Sequence, residues 1–215
     1  MIMQKTTHSP TLQISSVKRI HGKAMLVLSN GTSICMPRAM LRERPYRSGM
    51  AFDQASFDTF LFERSYPFAL EKAVSLLASR SRTEREIEEY LRRNAYPEKV
   101  ISRVMARLIE AGYLNDSDYA ANWAVSRSRK GLGERRIRME LRQKGVPQQE
   151  IDAALSTLEE EDVLSSAVMA AEKAARGKNL ALQSDRQRIV ASLVRRGYDY
   201  SIAKRALHRI IDQFE

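Results

Sequence analysis

The chain has 215 residues, of which 43% are hydrophobic and 29% charged. This composition is typical of a chain that buries a core, and it excludes a wholly disordered protein. Lysine and arginine outnumber aspartate and glutamate by 36 to 26, and the formal charge of +10 predicts a polyanionic partner such as nucleic acid or an acidic protein. The single cysteine, Cys35, excludes a disulfide framework and a cysteine-based zinc site.

The sequence carries no signal for a membrane location. No apolar run approaches the roughly 20 residues that cross a bilayer. The first residues, MIMQKTTHSPTLQ, lack the apolar stretch of a signal peptide. We therefore expect a cytoplasmic protein with no membrane partner.

Residues 1–10 are predicted to form a flexible tail and residues 11–66 a small N-terminal module. Runs typical of β-strands cover residues 12–20, 24–28 and 33–36. Asn30-Gly31 between the last two predicts the tight turn of a β-hairpin. Pro37 suits the first position of a short helix, and a second helix is predicted over residues 53–65.

From residue 67 onward a helical pattern repeats, and we divide it into repeats over residues 67–115, 116–158 and 159–215. Each repeat holds an isoleucine followed four residues later by a leucine on the same helical face. Where this middle helix ends, two repeats have a glycine, which accepts a positive φ, and the first has Ala95. The matched sets are Ile87, Leu91 and Ala95; Ile137, Leu141 and Gly145; and Ile189, Leu193 and Gly197.

A further helix precedes each middle helix and another follows it. The preceding helices are predicted over Phe68–Arg80, Asp118–Lys130 and Leu164–Arg176. Thr83 and Glu86 have the spacing of a capping box, and Asn115 is a predicted N-cap. The predicted fold is all-α: an elongated array of three tandem three-helix repeats, preceded by the small N-terminal module with its β-hairpin.

No group of residues has the pattern of a catalytic or metal site. His8, His21 and His208 have no carboxylate or cysteine at ligand spacing. Gly131-Leu132-Gly133 follows a helix and lacks the ending of a phosphate-binding loop. The acidic run Glu159–Asp162 is typical of a solvated helix start. We therefore expect no enzyme activity, no cofactor and no metal.

The basic residues are better organised. Eight basic residues lie from Arg127 to Lys144, and the only acidic residues among them are Glu134 and Glu140. Stacking of the repeats is expected to align these cations with those of the other repeats into a basic track. Such a track would bind phosphates or carboxylates. The alternative for each is a solvated helix face. Tyr119 and Trp123 lie one helical turn apart, where they pack in a core or form a base-stacking platform. The candidate filament- or DNA-binding residues are Arg92, Arg93, Arg127, Arg129, Lys130, Arg135, Arg136, Arg138, Arg142, Lys144, Arg195 and Arg196.

Three stretches resemble a known family. They are LLASRSRTEREIEEYL at residues 76–91, LIEAGYLNDSDYA at residues 108–120 and GLGERRIRMELRQKGV at residues 131–146. All three are similar to motifs of the RecX regulatory proteins. The resemblance is strong over residues 68–158 and weak over residues 159–215. Ala95 departs from the usual glycine.

The resemblance implies a non-enzymatic regulator of the recombinase RecA in DNA repair, recombination and the SOS response, and we expect the chain to be a monomer. Its partners would be the RecA–single-stranded DNA filament and single-stranded DNA, with weaker binding to duplex DNA. It would lie in the filament groove, restrain ATP hydrolysis and strand exchange, and hinder filament growth. The alternative is a direct DNA-binding protein with helix-turn-helix-like repeats. A nuclease is disfavoured because no carboxylate cluster is visible in the sequence.

Overall fold

The computed structural model describes residues 11–20 and 22–213, so the predicted tail, His8 and His21 lie outside the described residues. The chain is mostly helical, with ten helices in this part and a four-stranded sheet near its start. It divides into two compact units. The first holds residues up to Arg82 together with Glu86–Leu114. The second holds Thr83–Arg85 together with the residues from Asn115 onward.

The N-terminal module is an antiparallel sheet with the strand order β3-β2-β1-β4. The predicted hairpin is confirmed, because β2 pairs with β3 around a turn in which Gly31 has a φ of +81°. A fourth strand, which the sequence did not predict, pairs with the start of β1. The strands are β1 Thr11–Ile20, β2 Lys23–Leu28, β3 Ser33–Pro37 and β4 Ala51–Asp53.

One face of the sheet packs on an aromatic cluster. Alternate residues of β2, from Ala24 to Leu28, are buried, as the period of a strand requires. The ring of Phe57 lies 5.3 Å from that of Tyr46 and 4.5 Å from that of Phe52, centroid to centroid. The short helix α1, Met40–Glu43, begins later than predicted because Pro37 still pairs with β2.

The next helix, α2, runs without interruption from Gln54 to Ser79. The sequence predicted separate helices on either side of Pro67, with a domain boundary between residues 66 and 67, but this boundary lies inside α2. Proline removes one backbone hydrogen bond and costs about 3 kcal/mol in a helix interior. A stripe of buried residues spaced four apart continues across it and offsets that cost through packing. The stripe consists of Phe57, Leu61, Ser65, Ala69 and Ala73.

The remaining helices follow the predicted three-helix pattern. Asn115 caps α5, since its Oδ1 accepts from the backbone N–H groups of Ser117 and Asp118 at 3.0 and 3.1 Å. None of the helices in the described part of the chain is both long and apolar enough to cross a membrane. The helices are α3 Glu84–Arg93, α4 Glu98–Glu110, α5 Asp116–Arg129, α6 Glu134–Gln143, α7 Gln148–Ser156, α8 Glu160–Ala175, α9 Gln183–Arg195 and α10 Tyr200–Asp212.

Each repeat builds its own core around the predicted isoleucine and leucine. All six of these side chains are completely buried, and each pair belongs to a separate apolar cluster. The middle helices end in the left-handed conformation, with a φ of +62° at Ala95, +82° at Gly145 and +92° at Gly197. The first repeat therefore reverses the chain in the same way, although Ala95 tolerates a positive φ poorly.

Within the second unit, the end of α9 lies directly against the start of α6. The N–H of Gly133 donates to the carbonyl of Arg196 at 3.0 Å, and that of Arg135 donates to the carbonyl of Gly197 at 3.1 Å. A Cβ on Gly133 would lie 2.2 Å from the Tyr198 nitrogen, and one on Gly197 would lie 2.4 Å from the Arg136 nitrogen. We call this contact the Gly133–Gly197 junction. Only glycine allows it.

A buried polar contact lies beside the junction. Ser166 on α8 donates from its hydroxyl to the carbonyl of Ser128 on α5. The hydroxyl of Tyr198 lies 3.1 Å from the same Ser166 oxygen, and burial raises the pKa of Tyr198. The contact gives the hydroxyls of Ser166 and Tyr198 and the carbonyl of Ser128 a partner, which avoids the cost of unsatisfied polar groups.

Replacing Ala95 by glycine is expected to stabilise the chain by about 0.5–1 kcal/mol, because the left-handed conformation strains a side chain with a Cβ. Urea unfolding measures the change. The matched control is Ala106→Gly in the interior of α4, which should destabilise by about 1 kcal/mol. Equal effects of the two substitutions would show that Ala95 is unstrained.

Replacing Gly133 by alanine is expected to destabilise the chain by about 1–3 kcal/mol through overpacking, since its φ of −81° imposes no backbone strain. Hydrogen exchange should accelerate at the amide of Arg135, which donates to the Gly197 carbonyl across the junction. Gly112→Ala is the control for backbone strain without overpacking. Gly112 has a φ of +71°, which strains a side chain, but no atom lies within 4 Å of an added Cβ. Unchanged exchange in the Gly133 variant would contradict the junction.

Candidate nucleic-acid interface

A cation–aromatic cluster joins α5, α6 and the turn after α6. The rings of Tyr119 and Trp123 stack with centroids 5.7 Å apart and planes inclined by 15°. The Arg127 guanidinium carbon lies 4.1 Å from the Trp123 ring centroid, and the Lys144 Nζ lies 4.7 Å from it. Cations over an indole face are attracted by its quadrupole. Two candidate residues are thus positioned by one aromatic ring.

Glu140 holds this cluster together. Its Oε2 accepts from the Trp123 indole N–H at 3.2 Å and lies 2.8 Å from the Arg127 Nε. Its other oxygen lies 3.5 Å from the Arg136 Nε. Only 17% of the Glu140 side chain is exposed, so these attractions are screened less than those of surface pairs. Tyr119 belongs to the core of the second repeat, and Trp123 lies at its edge.

A second group of contacts lies along the seam between α6 and α7. Arg138 pairs with Glu134 at 2.7 Å and with Asp152. The Gln148 amide donates to Asp152 at 2.9 Å, and the Arg142 Nε donates to the Gln148 carbonyl oxygen at 2.9 Å. The Gln148 amide and the Arg138 guanidinium hold the pKa of Asp152 below its usual value. Both arginines therefore bind groups of the chain itself.

The equivalent seam of the first repeat, between α3 and α4, has the same kind of closure. Arg92 pairs with Glu88 at 2.8 Å and with Glu98 at 2.9 Å. These bonds raise the pKa of Arg92 and lower that of Glu98. The neighbouring Arg93 is exposed and donates to the carbonyl of Glu89 at 3.3 Å.

Two candidate residues belong to the Gly133–Gly197 junction. Arg135 on α6 pairs with Asp199, before α10, at 2.8 Å. The pKa of Asp199 is lowered, first by the backbone and hydroxyl of Ser201, which donate to it, and then by Arg135. Arg196 is half-buried and donates to the carbonyl of Gly131 at 3.4 Å.

Three candidate cations make neither an ion pair nor a side-chain hydrogen bond with any residue that the structure describes: Arg129, Lys130 and Arg195. Arg129 and Lys130 end α5, are exposed and border a shallow cavity of about 460 Å³. The other lining residues also belong to α5 and are Ala121, Asn122, Val125 and Ser126. This pair, which we call the α5 end, presents its charge to solvent.

The structure thus separates the twelve candidates by what they contact. Arg135, Arg138 and Arg142 lie on α6 outside the face that buries Ile137 and Leu141, and each contacts a polar group of this chain. The sequence pattern did not predict the central role of Glu140, although its spacing of four from Arg136 signals a helical pair. It also missed Asp152, which lies on another helix. No group of three or more histidine, cysteine, aspartate or glutamate residues that could hold a metal occurs in the described ranges.

Replacing Glu140 by glutamine is expected to destabilise the chain by about 1–2 kcal/mol, because Arg127 then lies half-buried without a counter-charge. Unfolding is followed by the fluorescence of Trp123, the single tryptophan. Glu134→Gln is the control; Glu134 is 58% exposed and its loss should cost less than about 0.5 kcal/mol. Equal costs would contradict a central role for Glu140.

Comparison with known proteins matches each repeat to a described domain. The first three-helix domain of RecX matches residues 69–108, the second residues 115–155 and the third residues 160–207. The regulatory protein RecX of Mycobacteroides abscessus is 42% identical over 132 residues, which cover 60% of this chain and 64% of that protein. The match therefore spans less than two thirds of that relative.

Two further comparisons agree. The regulatory protein RecX of Mycolicibacterium smegmatis is 36% identical over 134 residues, which cover 60% of this chain and 71% of that protein. A crystal structure of a regulatory protein RecX aligns with 90% of this chain and 97% of its own, with a TM-score of 0.62 and 21% identity. At that identity the structural likeness shows the fold alone. With three matching domains and these relatives, the chain belongs to the RecX family of regulatory proteins.

Proposed function

We propose that the chain is a non-enzymatic regulator that binds the RecA–single-stranded DNA filament and inhibits RecA ATP hydrolysis, strand exchange and filament growth. The observation that carries the proposal is membership of the RecX family across all three repeats. The name of that family implies regulation of RecA. The protein would act in the cytoplasm, in DNA repair and recombination.

The distribution of charge supports a polyanionic partner. The net charge is +10, and residues 1–68 contribute nine basic and four acidic residues to it. The repeats themselves are closer to neutral, so any binding face in them depends on which cations remain unpaired. The α5 end is such a place, because Arg129 and Lys130 are exposed and have no carboxylate partner among the described residues.

These two cations suit contact with phosphates. Lysine and arginine that neutralise phosphates release counterions, so their contribution weakens as salt rises. The arginine fork can also make two bonds to a phosphate or carboxylate at once. Arg138, by contrast, already contacts two carboxylates and would have to break these contacts to bind DNA.

The experiment is steady-state ATP hydrolysis by the cognate RecA on single-stranded DNA, titrated with this protein at near-physiological salt. Inhibition at a protein-to-RecA ratio well below one is expected, since simple competition for DNA needs enough protein to coat the strand. No inhibition at saturating ratios would contradict the proposal. Sequence-specific binding to duplex DNA would instead support the helix-turn-helix alternative.

The double variant R129E/K130E is expected to bind the filament roughly tenfold more weakly, with a salt dependence shallower by about 1.4 in the slope of log K against log salt. R103E/R107E on α4 is the matched control, because it makes the same change in net charge at two other exposed arginines. Equal weakening of filament binding by both double variants would show that only the net charge of the chain matters. Thermal unfolding confirms that each variant is folded.

A further inference from the structure

The third repeat carries an open groove between α9 and α10. Its volume is about 680 Å³ and its floor is apolar. Tyr200 lies at its edge with 56% of its surface exposed, and Val194 is 37% exposed. The apolar lining residues are Val190, Ala191, Val194, Leu207 and Ile211. Exposed apolar surface of this kind marks a binding site more often than scattered single residues do.

The rim of the groove is basic. Arg186, Arg195, Lys204 and His208 line it, and no lining residue is acidic. The Lys204 Nζ lies 4.9 Å from the centroid of the Tyr200 ring. Arg195 and Lys204 make no ion pair with any carboxylate that the structure describes. The groove therefore combines an apolar floor with unneutralised positive charge.

The equivalent seams of the other repeats are closed by polar contacts. When the repeats are matched by Ile137 and Ile189, and by Gly145 and Gly197, the positions of Arg138 and Arg142 become Val190 and Val194. The positions of Gln148 and Asp152 become Tyr200 and Lys204. In the second repeat those four residues bind one another, and in the first Arg92 binds Glu88 and Glu98. The third repeat alone replaces this closure by apolar side chains.

We infer that the α9–α10 groove docks an acidic amphipathic segment of the partner protein. A segment with apolar side chains one helical turn apart would fill the floor, as in other helix-in-groove complexes. Carboxylates flanking those side chains would meet Arg195 and Lys204. A nucleic-acid strand fits less well, because Val190, Val194 and Ile211 offer nothing to phosphates. The inference rests on the proposed function, which makes the partner protein RecA.

The test grafts the seam of the second repeat onto the third. The variant V190R/V194R/Y200Q/K204D places Arg138, Arg142, Gln148 and Asp152 at their matched positions and leaves the net charge unchanged. The protein is labelled at Cys35, its single cysteine, which is exposed on β3. Fluorescence anisotropy then measures binding to cognate RecA without DNA and, separately, to a single-stranded oligonucleotide.

The graft is expected to bind RecA at least tenfold more weakly and to bind the oligonucleotide as the parent chain does. Two single substitutions keep the test decisive if the grafted variant does not fold. K204E should weaken RecA binding severalfold, whereas K173E, at an exposed lysine of α8 outside the groove, should not. Circular dichroism checks that all variants are folded.

The other outcomes overturn the inference. RecA binding that survives both the graft and K204E would remove the groove as a docking site and leave the proposed function intact. Loss of oligonucleotide binding with RecA binding retained would assign the groove to DNA. If the parent chain binds neither RecA nor the RecA filament, the proposed function fails and the inference fails with it.

Discussion

The backbone contact at the Gly133–Gly197 junction determines how the second and third repeats meet. The two chains approach so closely that a single methyl group at Gly133 would overlap the backbone of Tyr198. The two backbone hydrogen bonds, both donated from the start of α6, then define the register of α6 against the turn after α9. This register places Arg135 beside Asp199, so a candidate binding residue is oriented by a contact between backbones.

Internal ion pairs decide which cations the repeats can offer to a partner. Arg138 lies against two carboxylates, and Arg127 lies between Glu140 and the Trp123 ring. Removing such a contact to bind a phosphate costs the energy of the existing pair, whereas the exposed α5 end has no pair to lose. The binding capacity of a basic helix therefore depends less on its number of arginines than on the acidic residues of its neighbours.

Local sequence patterns predicted the buried core residues of the repeats, but they could not predict contacts between residues far apart in the chain. The isoleucine–leucine spacing and the Asn115 cap depend on residues within one helical turn, and the structure confirms them. The continuity of α2 through Pro67 was missed because tertiary packing overrides the tendency of proline to break a helix. The Arg138–Asp152 and Arg135–Asp199 pairs join different helices, so no periodicity within one helix could reveal them.

The three repeats differ in the residues that line the seam between their middle and last helices, and the cores explain why this difference is tolerated. Each repeat is held by its own buried isoleucine and leucine, so the surface seam carries little of the folding energy. Ion pairs close it in the first two repeats, whereas in the third the matched positions hold Val190 and Val194 beside the fully buried Ile189 and Leu193. The same scaffold can therefore present a neutralised surface in one repeat and an apolar, basic groove in another. The graft changes four positions of this seam and keeps Ile189 and Leu193, and for this reason we expect it to change binding more than stability.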